Sequence, residues 1–501
     1  MNDSEILMNP NELVRFLKKP SAEFTKNDII RFCEAKNIEM VNFRYVADDG
    51  RLKTLNFAIS SKEYLDTILS AGERVDGSSL FSFIGAGSSD LYVIPRYRTA
   101  FVNPFSEVPA IDILCSFYDS EGKPLESSPE NVLRKAHNLF KSETGCTFKA
   151  LAELEYYVIS ERDDFFPGTD QKGYHSSAPF AKWEDLRKEA LICITRAGGM
   201  VKYGHAEVGC FMTEDTLYEQ HEIEFLPMPV EDAVDQLVIA KWMVRMLGYR
   251  YGVDISFAPK ITVGKAGSGL HFHLMVEKDG KNLVFENGRI SNTSKKMIAG
   301  ILDAADAITA FGNTIPTSYL RLVPHQEAPT NICWGERNRS VVIRIPLGWV
   351  GTEQMVTHAN PADTNAQPAG LNRQTFEYRV ADCSADPYLT VAALVVASLN
   401  GLRMKDALQL ADKLYVDVNI FSPEYKEKLA ALKQLPASCW ESAEALEAKR
   451  HIFEADGIFP KGMIDSRINN LKSFQDKGLS EKIYGKTEEI RQLVERFIHI
   501  G

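Results

Sequence analysis

Apolar and polar residues alternate along 148–159, F-K-A-L-A-E-L-E-Y-Y-V-I. A period of two predicts a strand. Phe148, Ala150, Ala152, Leu154, Tyr156 and Val158 would share one face, and Lys149, Leu151, Glu153, Glu155 and Tyr157 the other. Glu153 and Glu155 would then point the same way, roughly 6–7 Å apart. Two carboxylates on an apolar strand need a shared proton, cations between them, or open water. Three more stretches repeat the pattern. Gln220, Glu222 and Glu224 share a face in 219–225, His271 and His273 in 270–274, and Glu377 and Arg379 in 375–380. One such strand is ordinarily a solvated sheet face. Four fit better a sheet curved around a polar interior. Carboxylates with an imidazole suit Mg²⁺ or Mn²⁺ rather than zinc.

Elsewhere the pattern divides the chain. Residues 1–30 are polar and helix-prone and read as an N-terminal extension. Two strand-like runs between Ile38 and Ile59 flank D-D-G at 48–50, which predicts a hairpin. With further strands near 73–95 and 110–118, residues 31–126 read as a small β-rich domain. Ser128 and Pro129 form a helix start, with Ser128 as N-cap, and Gly145 a stop. Residues 127–501 then read as an α+β domain, with helices near 183–198, 230–251, 294–312, 386–402 and 423–435, and a charged helical part at 441–499. The stretch 348–373, rich in Gly, Asn, Pro and Gln, predicts a long loop, and loops of that length often carry function.

Composition narrows the classes. The 501 residues are 45% hydrophobic and 25% charged, which is ordinary for a globular protein. A net charge of −11 argues against nucleic acid as the main partner. The N-terminus carries no signal-peptide pattern, and the longest apolar run, about 389–399, is too short to span a bilayer. The eight cysteines are scattered without a C-x-x-C pair, as expected for reduced thiols in a cytoplasmic protein.

Arginines form a second cluster. Arg321 opens R-L-V-P-H-Q-E-A-P, which includes Glu327, and Arg337, Arg339 and Arg344 lie in the next conspicuous run. Guanidinium beside a carboxylate-rich site favours phosphates or carboxylates as ligands. The loop G-K-A-G-S-G at 264–269 is neither a Walker loop nor a dinucleotide fingerprint; by itself it is a tight turn placed where backbone could approach a ligand.

Taken in order, the motifs resemble the glutamine synthetase family, bacterial class I. They are V-D-G-S-S at 75–79, E-x-E at 153–155, H-A-E at 205–207, E-Q-H-E-I-E-F at 219–225, G-S-G-L-H-F-H at 267–273, R-L-V-P-H-Q-E-A-P at 321–329, R-N-R-S-V-V-I-R-I-P at 337–346, and F-E-Y-R with D-P-Y-L at 376–389. The resemblance implies an N-terminal β-grasp domain and a catalytic domain with a curved antiparallel sheet flanked by helices. It also implies ATP-dependent ligation of ammonia to glutamate through a γ-glutamyl phosphate, in nitrogen assimilation. Two or more Mg²⁺ or Mn²⁺ ions per site would serve it. Glu155, Glu207 and Glu222 would hold one, and Glu153, His271 and Glu377 another. His273, Arg339 and Arg344 would bind ATP. Gly267, Arg321, Glu327 and Arg379 would bind glutamate. Asp76 would come from a neighbouring subunit to take the ammonium proton, Arg339 would stabilise the transferring phosphoryl group, and Glu327 would shield the acyl phosphate on a flap. The implied assembly is a ring-shaped homo-oligomer of two stacked hexamers, with sites at subunit interfaces.

Some positions depart from the family. Ala266-Gly267 stands where Asn-Gly is usual, and Phe83 where a tryptophan is frequent. The stretch 347–374 is long, and it lacks an evident lysine before F-E-Y-R, with Asn372 and Arg373 nearby. L-Y-V-D-V-N at 414–419 argues against adenylylation at Tyr415. A ligase joining glutamate to a larger amine, such as methylamine or a polyamine, is the alternative. A silent structural relative should have lost a metal carboxylate, and none is lost.

Overall fold

The computed structural model describes residues 3–48, 50–85, 89–323, 328–348, 354–363, 373–417 and 426–501. Strands β1 (Met40–Val46), β2 (Leu52–Ala58), β3 (Glu73–Asp76), β4 (Asp90–Pro95), β5 (Phe101–Val102) and β6 (Ala110–Tyr118) form the first sheet. Its order is β2-β1-β6-β4-β3, with β5 beside β6. β1 and β2 pair as the expected antiparallel hairpin, while β1 and β6 run parallel. The preceding residues are helical at Asp3–Met8, Glu12–Leu17 and Lys26–Lys36. Thr25 and Asp28 form a capping box on the third of these helices. Leu13, Val14 and Leu17 join the core of this sheet, so the extension is packed onto it.

Guanidinium groups help join this unit to the rest, Arg96 and Arg44 among them. Arg96 binds both oxygens of Asp235, at 2.6 and 2.9 Å. Arg44 is held by Asp112 at 2.6 Å and lies over the ring of Trp242. Both Asp235 and Trp242 belong to the long helix Val230–Tyr251.

The larger sheet contains β7 (Thr147–Glu161), β8 (Val201–Met212), β9 (Thr216–Phe225), β10 (Met228–Pro229), β11 (Asp254–Ser256), β12 (Leu270–Lys278) and β13 (Lys281–Asn282). A two-stranded ribbon, β14 (Phe285–Glu286) and β15 (Arg289–Ile290), stands apart from it. β16 (Asn331–Glu336), β17 (Val341–Ile345) and β18 (Phe376–Tyr378) complete it, in the order β16-β17-β18-β12-β7-β9-β8. Pairing is antiparallel except between β16 and β17, which run parallel. β7 is central: β12 lies on one side and β9 on the other. Its apolar face, from Phe148 to Val158, is buried against the helices Pro129–Thr144 and Val230–Tyr251.

Helices Glu184–Arg196, Val230–Tyr251, Asn292–Gly312 and Pro387–Arg403 fall where the apolar spacing places them. Ser128 differs from expectation. It precedes Pro129 but makes no capping bond, and its hydroxyl donates instead to Leu125 O. Gly145 does end that helix, in the left-handed conformation at φ 69°. In the stretch expected to be helical at 423–435, the described helix is Lys426–Ala430. The long 348–373 stretch falls largely outside the described residues; within it, Met355–Ala359 is helical. No single helix among the described residues is long and apolar enough to cross a membrane. All eight cysteines are free and buried.

Candidate active site

Strand register assembles the site. His205, Glu222 and Glu155 stand side by side across β8, β9 and β7. In the next row, Glu224, Glu153 and His271 face one another across β9, β7 and β12. A third row joins His273, Glu377 and Arg344 across β12, β18 and β17. The four ionisable strand faces are therefore one continuous surface.

Glu207 reaches this surface through a bulge. Ala206 is opposite His221 and Cys210 opposite Glu219, so three β8 residues face Gln220 alone. A bulge bends its strand and re-aims a side chain. Gly209 makes the bend possible. A Cβ there would lie 2.0 Å from the Tyr157 hydroxyl, and its N–H donates to Gln220 Oε1 at 2.9 Å.

Each carboxylate has its own partners. Glu153 Oε2 lies 2.9 Å from His271 Nδ1, and its Oε1 lies 2.9 Å from His273 Nε2. Glu155 Oε2 accepts from Gly269 N at 2.8 Å and from Gln220 Nε2 at 3.1 Å. Glu377 accepts from Arg344 at 3.0 Å and from Arg379. Glu224 accepts from Lys202 Nζ at 2.6 Å. Arg321 is buried and donates to Val380 O at 2.8 Å and Arg379 O at 3.2 Å.

A cavity of about 650 Å³ opens on this surface. Glu153, Glu155, Glu207, Glu222 and Glu224 line it from the β7–β9 end, and Arg339, Arg344, Arg373 and Arg379 from the β17–β18 end. A smaller hollow adjoins it, lined by Glu155, Lys260, Ala266, Gly267, His271, Arg321, Ala328 and Arg379.

Two family models match the chain. The glutamine synthetase catalytic domain covers residues 126–476, and the glutamine synthetase beta-Grasp domain covers 37–120. The chain belongs to the glutamine synthetase family. Membership makes it a ligase. Curated relatives include the glutamine synthetase of Methanococcus maripaludis, 28% identical over 85% of this chain and 92% of that one. Another, from Thermus thermophilus, is 29% identical over 87% and 92%. Among solved structures, a Plasmodium falciparum glutamine synthetase aligns with a TM-score of 0.73 at 20% identity, covering 94% of this chain and 98% of that one. The ligand-free form of a protein named GmaS aligns with a TM-score of 0.71 at 18% identity, over 90% and 97%. Both share the β-grasp and curved-sheet fold.

In this glutamine synthetase relative, three groups of donor atoms converge to within 4.8 Å. They are Glu153, His273 and Glu377; His205, Glu207 and Glu222; and Glu153, Glu222 and Glu224. Oxygen-rich sets with one imidazole fit hard divalent cations. The groups differ in detail from those the family motifs imply. His273 joins Glu153 and Glu377, with His271 Nδ1 3.6 Å from Glu377. His205 joins Glu207 and Glu222, while Glu155 is held by Gly269 and Gln220.

The charges follow from burial and neighbours. Burial pushes the Glu222 carboxyl well above the usual range, and the charges of Glu153, Glu155, Glu207 and Glu224 push it further. Burial acts on Glu153 in the same direction, but His273 and His271 overcome it and hold Glu153 low. His273 is held up by Glu153 against its own burial, whereas burial and Arg379 hold His271 down. The surplus of carboxylate over cation at the β7–β9 end is what a divalent ion would balance.

Asp76 is exposed at the end of β3, where it caps the turn Gly77–Ser79 and accepts from Ser78 and Ser79. It does not line the cavity of its own chain. Glu327 lies outside the described residues. The structure adds residues to which the sequence pattern assigns no role: Tyr174, Lys202, Tyr203 and His205 line the cavity. The alternation of Tyr203, His205 and Glu207 in K-Y-G-H-A-E is a visible signal for two of them. Tyr174 comes from a loop, where no periodicity marks it.

Proposed function

We propose that this chain ligates ammonia to the γ-carboxyl of glutamate, using ATP and passing through a γ-glutamyl phosphate. One observation carries the reading: a single cavity joins five carboxylates and three histidines to four arginines. Such a site suits transfer of a highly charged phosphoryl group to a carboxylate nucleophile. Mg²⁺ or Mn²⁺, when bound by Glu153, His271 or His273 with Glu377, and by Glu207 and Glu222 with Glu155 or His205, would offset phosphate charge.

The chain's own residues supply the rest. Arg339, Arg344 and Arg379 stabilise the transferring phosphoryl group. Arg321 holds the α-carboxylate of glutamate, with the Gly267 backbone beside it. His273 stands near the nucleotide phosphates. Glu327 excludes water from the acyl phosphate and takes a proton. Asp76 enters from a neighbouring subunit of a ring-shaped homo-oligomer of two stacked hexamers and receives the ammonium proton.

A larger amine is the second reading. It is favoured by the aromatic rim of the cavity, where the rings of Tyr174 and Tyr203 lie 5.3 and 5.8 Å from that of His205, with Glu207 on the same cavity wall. Aromatic faces attract alkylammonium cations. A panel of ammonium, methylammonium and polyamines with ATP, glutamate and Mn²⁺, followed by phosphate release, tests both readings. Turnover with ammonium is expected; turnover with a larger amine alone would overturn the first reading in favour of the second.

A further inference from the structure

Segment 498–501 lies beyond the residues matched by the catalytic-domain model. It is nonetheless tied into the molecule. Ser256 Oγ donates to Ile498 O at 2.6 Å, Arg51 to His499 O at 3.3 Å, and Arg245 to Ile500 O at 2.8 Å. Gly501 is buried so closely that a Cβ would lie 2.3 Å from Cys383 O and 2.8 Å from Lys241 Nζ. An open cavity of about 980 Å³, lined by Arg51, Lys241, Arg245 and His499 among others, adjoins it. Where it faces this cavity, the segment is held by the hydrogen bonds from Arg51 and Arg245.

Two routes lead from this segment to the glutamate end of the site. On the first, the buried Lys241 donates to Cys383 O at 3.0 Å beside Gly501. Cys383 ends the stretch 379–383, whose Arg379 and Val380 carbonyls hold the Arg321 guanidinium. In the same stretch, Ala381 O accepts from Leu270 N at 2.9 Å. On the second, Ile498 and Ile500 pack on the cluster of Tyr157, Phe211, Ala258 and Ile261. The Tyr157 hydroxyl donates to Ala266 O at 2.8 Å, next to Gly267. Arg321 and Gly267 both line the small hollow, and a Cβ on Gly267 would lie 3.1 Å from Arg321 Cγ.

We propose that segment 498–501, with Lys241, is a positioning element that sets affinity for the amino-acid substrate by holding Arg321 and Gly267 in register. It touches no substrate. The proposal rests on the assignment of glutamate to that hollow. A displacement of about an ångström at a binding group weakens binding even when the group itself is still present.

The test compares the full chain with one lacking residues 498–501, in Mn²⁺, by steady-state kinetics and by calorimetric titration of glutamate. The expected result is a rise of about tenfold in KM and Kd for glutamate with KM for ATP unchanged. Ser256→Ala, which removes one bond to the segment, should give the same split at about threefold. Lys241→Met should resemble the deletion, and Lys241→Arg should recover most of the loss. Equal rises in both KM values, or an unchanged glutamate KM in a folded variant, would overturn the proposal. If the deletion does not fold, the Ser256 and Lys241 variants decide by the same split. Failure of the full chain to use glutamate would instead sink the functional reading itself.

Discussion

Glu153 and Glu155 are two residues apart on one strand, yet they are held by different groups. Glu153 is clasped by two imidazoles, and Glu155 by a backbone N–H of the glycine loop and by Gln220. Their removal should therefore fail differently. Glu153→Gln is expected to raise KM for ATP, and Glu155→Gln KM for glutamate, each by about tenfold or more. The same kinetic defect in both would undo the division. Glu222 offers a second check. Its carboxyl is crowded by four others, so Glu222→Gln should leave the metal-free chain as stable as the parent or more so. The parent should gain several degrees in melting temperature with Mn²⁺, by the logic of any ligand that binds only the folded state, and the variant clearly less. At this scale much was legible, because a two-residue period marks which side chains share a face. The sharing of Glu153 between His271 and His273 was not. The two histidines lie 118 and 120 residues further along the chain, and the register between their strand and β7 is written in neither strand's own pattern.

Elements meet where side chains are absent. Helices Asn292–Gly312 and Pro387–Arg403 approach so closely that a Cβ on Gly300 would lie 2.1 Å from Ala397 O. Helix propensity favours alanine over glycine by about 1 kcal/mol. The backbone clash should exceed that gain: Gly300→Ala is expected to destabilise by about 1–3 kcal/mol in chemical denaturation, with activity per folded molecule unchanged. Lys241, on the helix Val230–Tyr251, gives a pH test. Burial pushes its ammonium down to about 8. Below that pH it is charged in both states, and the folded state bears the full cost of burial. As pH rises from about 8 towards the unfolded value of 10.5, the folded state loses its proton first and the cost disappears. The parent should therefore gain stability relative to Lys241→Met across that window, measured by denaturant midpoints. The helices themselves were readable from apolar spacing and end signals. Ser128 shows why boundaries are harder: its hydroxyl found a carbonyl behind it rather than the N–H groups ahead.

At the scale of the whole molecule, the exposed turn at Asp76 and the cavity are separate within one chain. A catalytic role for Asp76 therefore requires a second copy. Mixing Asp76→Asn subunits with Arg339→Ala subunits should restore part of the activity, since one mixed interface in the assembly would carry both intact groups. Absence of recovery at every mixing ratio would remove Asp76 from the site. The division into a β-grasp unit and a curved sheet followed from strand spacing and ordered motifs. The docking of the two through Arg96 and Asp235 did not, because the pair is 139 residues apart and each member alone reads as a surface charge. The burial of all eight thiols, with those of Cys33 and Cys383 pushed up to about 12, should also leave the native protein slow to react with thiol reagents. Each cysteine thus becomes a local stopwatch: the rate at which it takes up a label times the opening of its own neighbourhood, and at Cys383 that neighbourhood is the seat of Gly501.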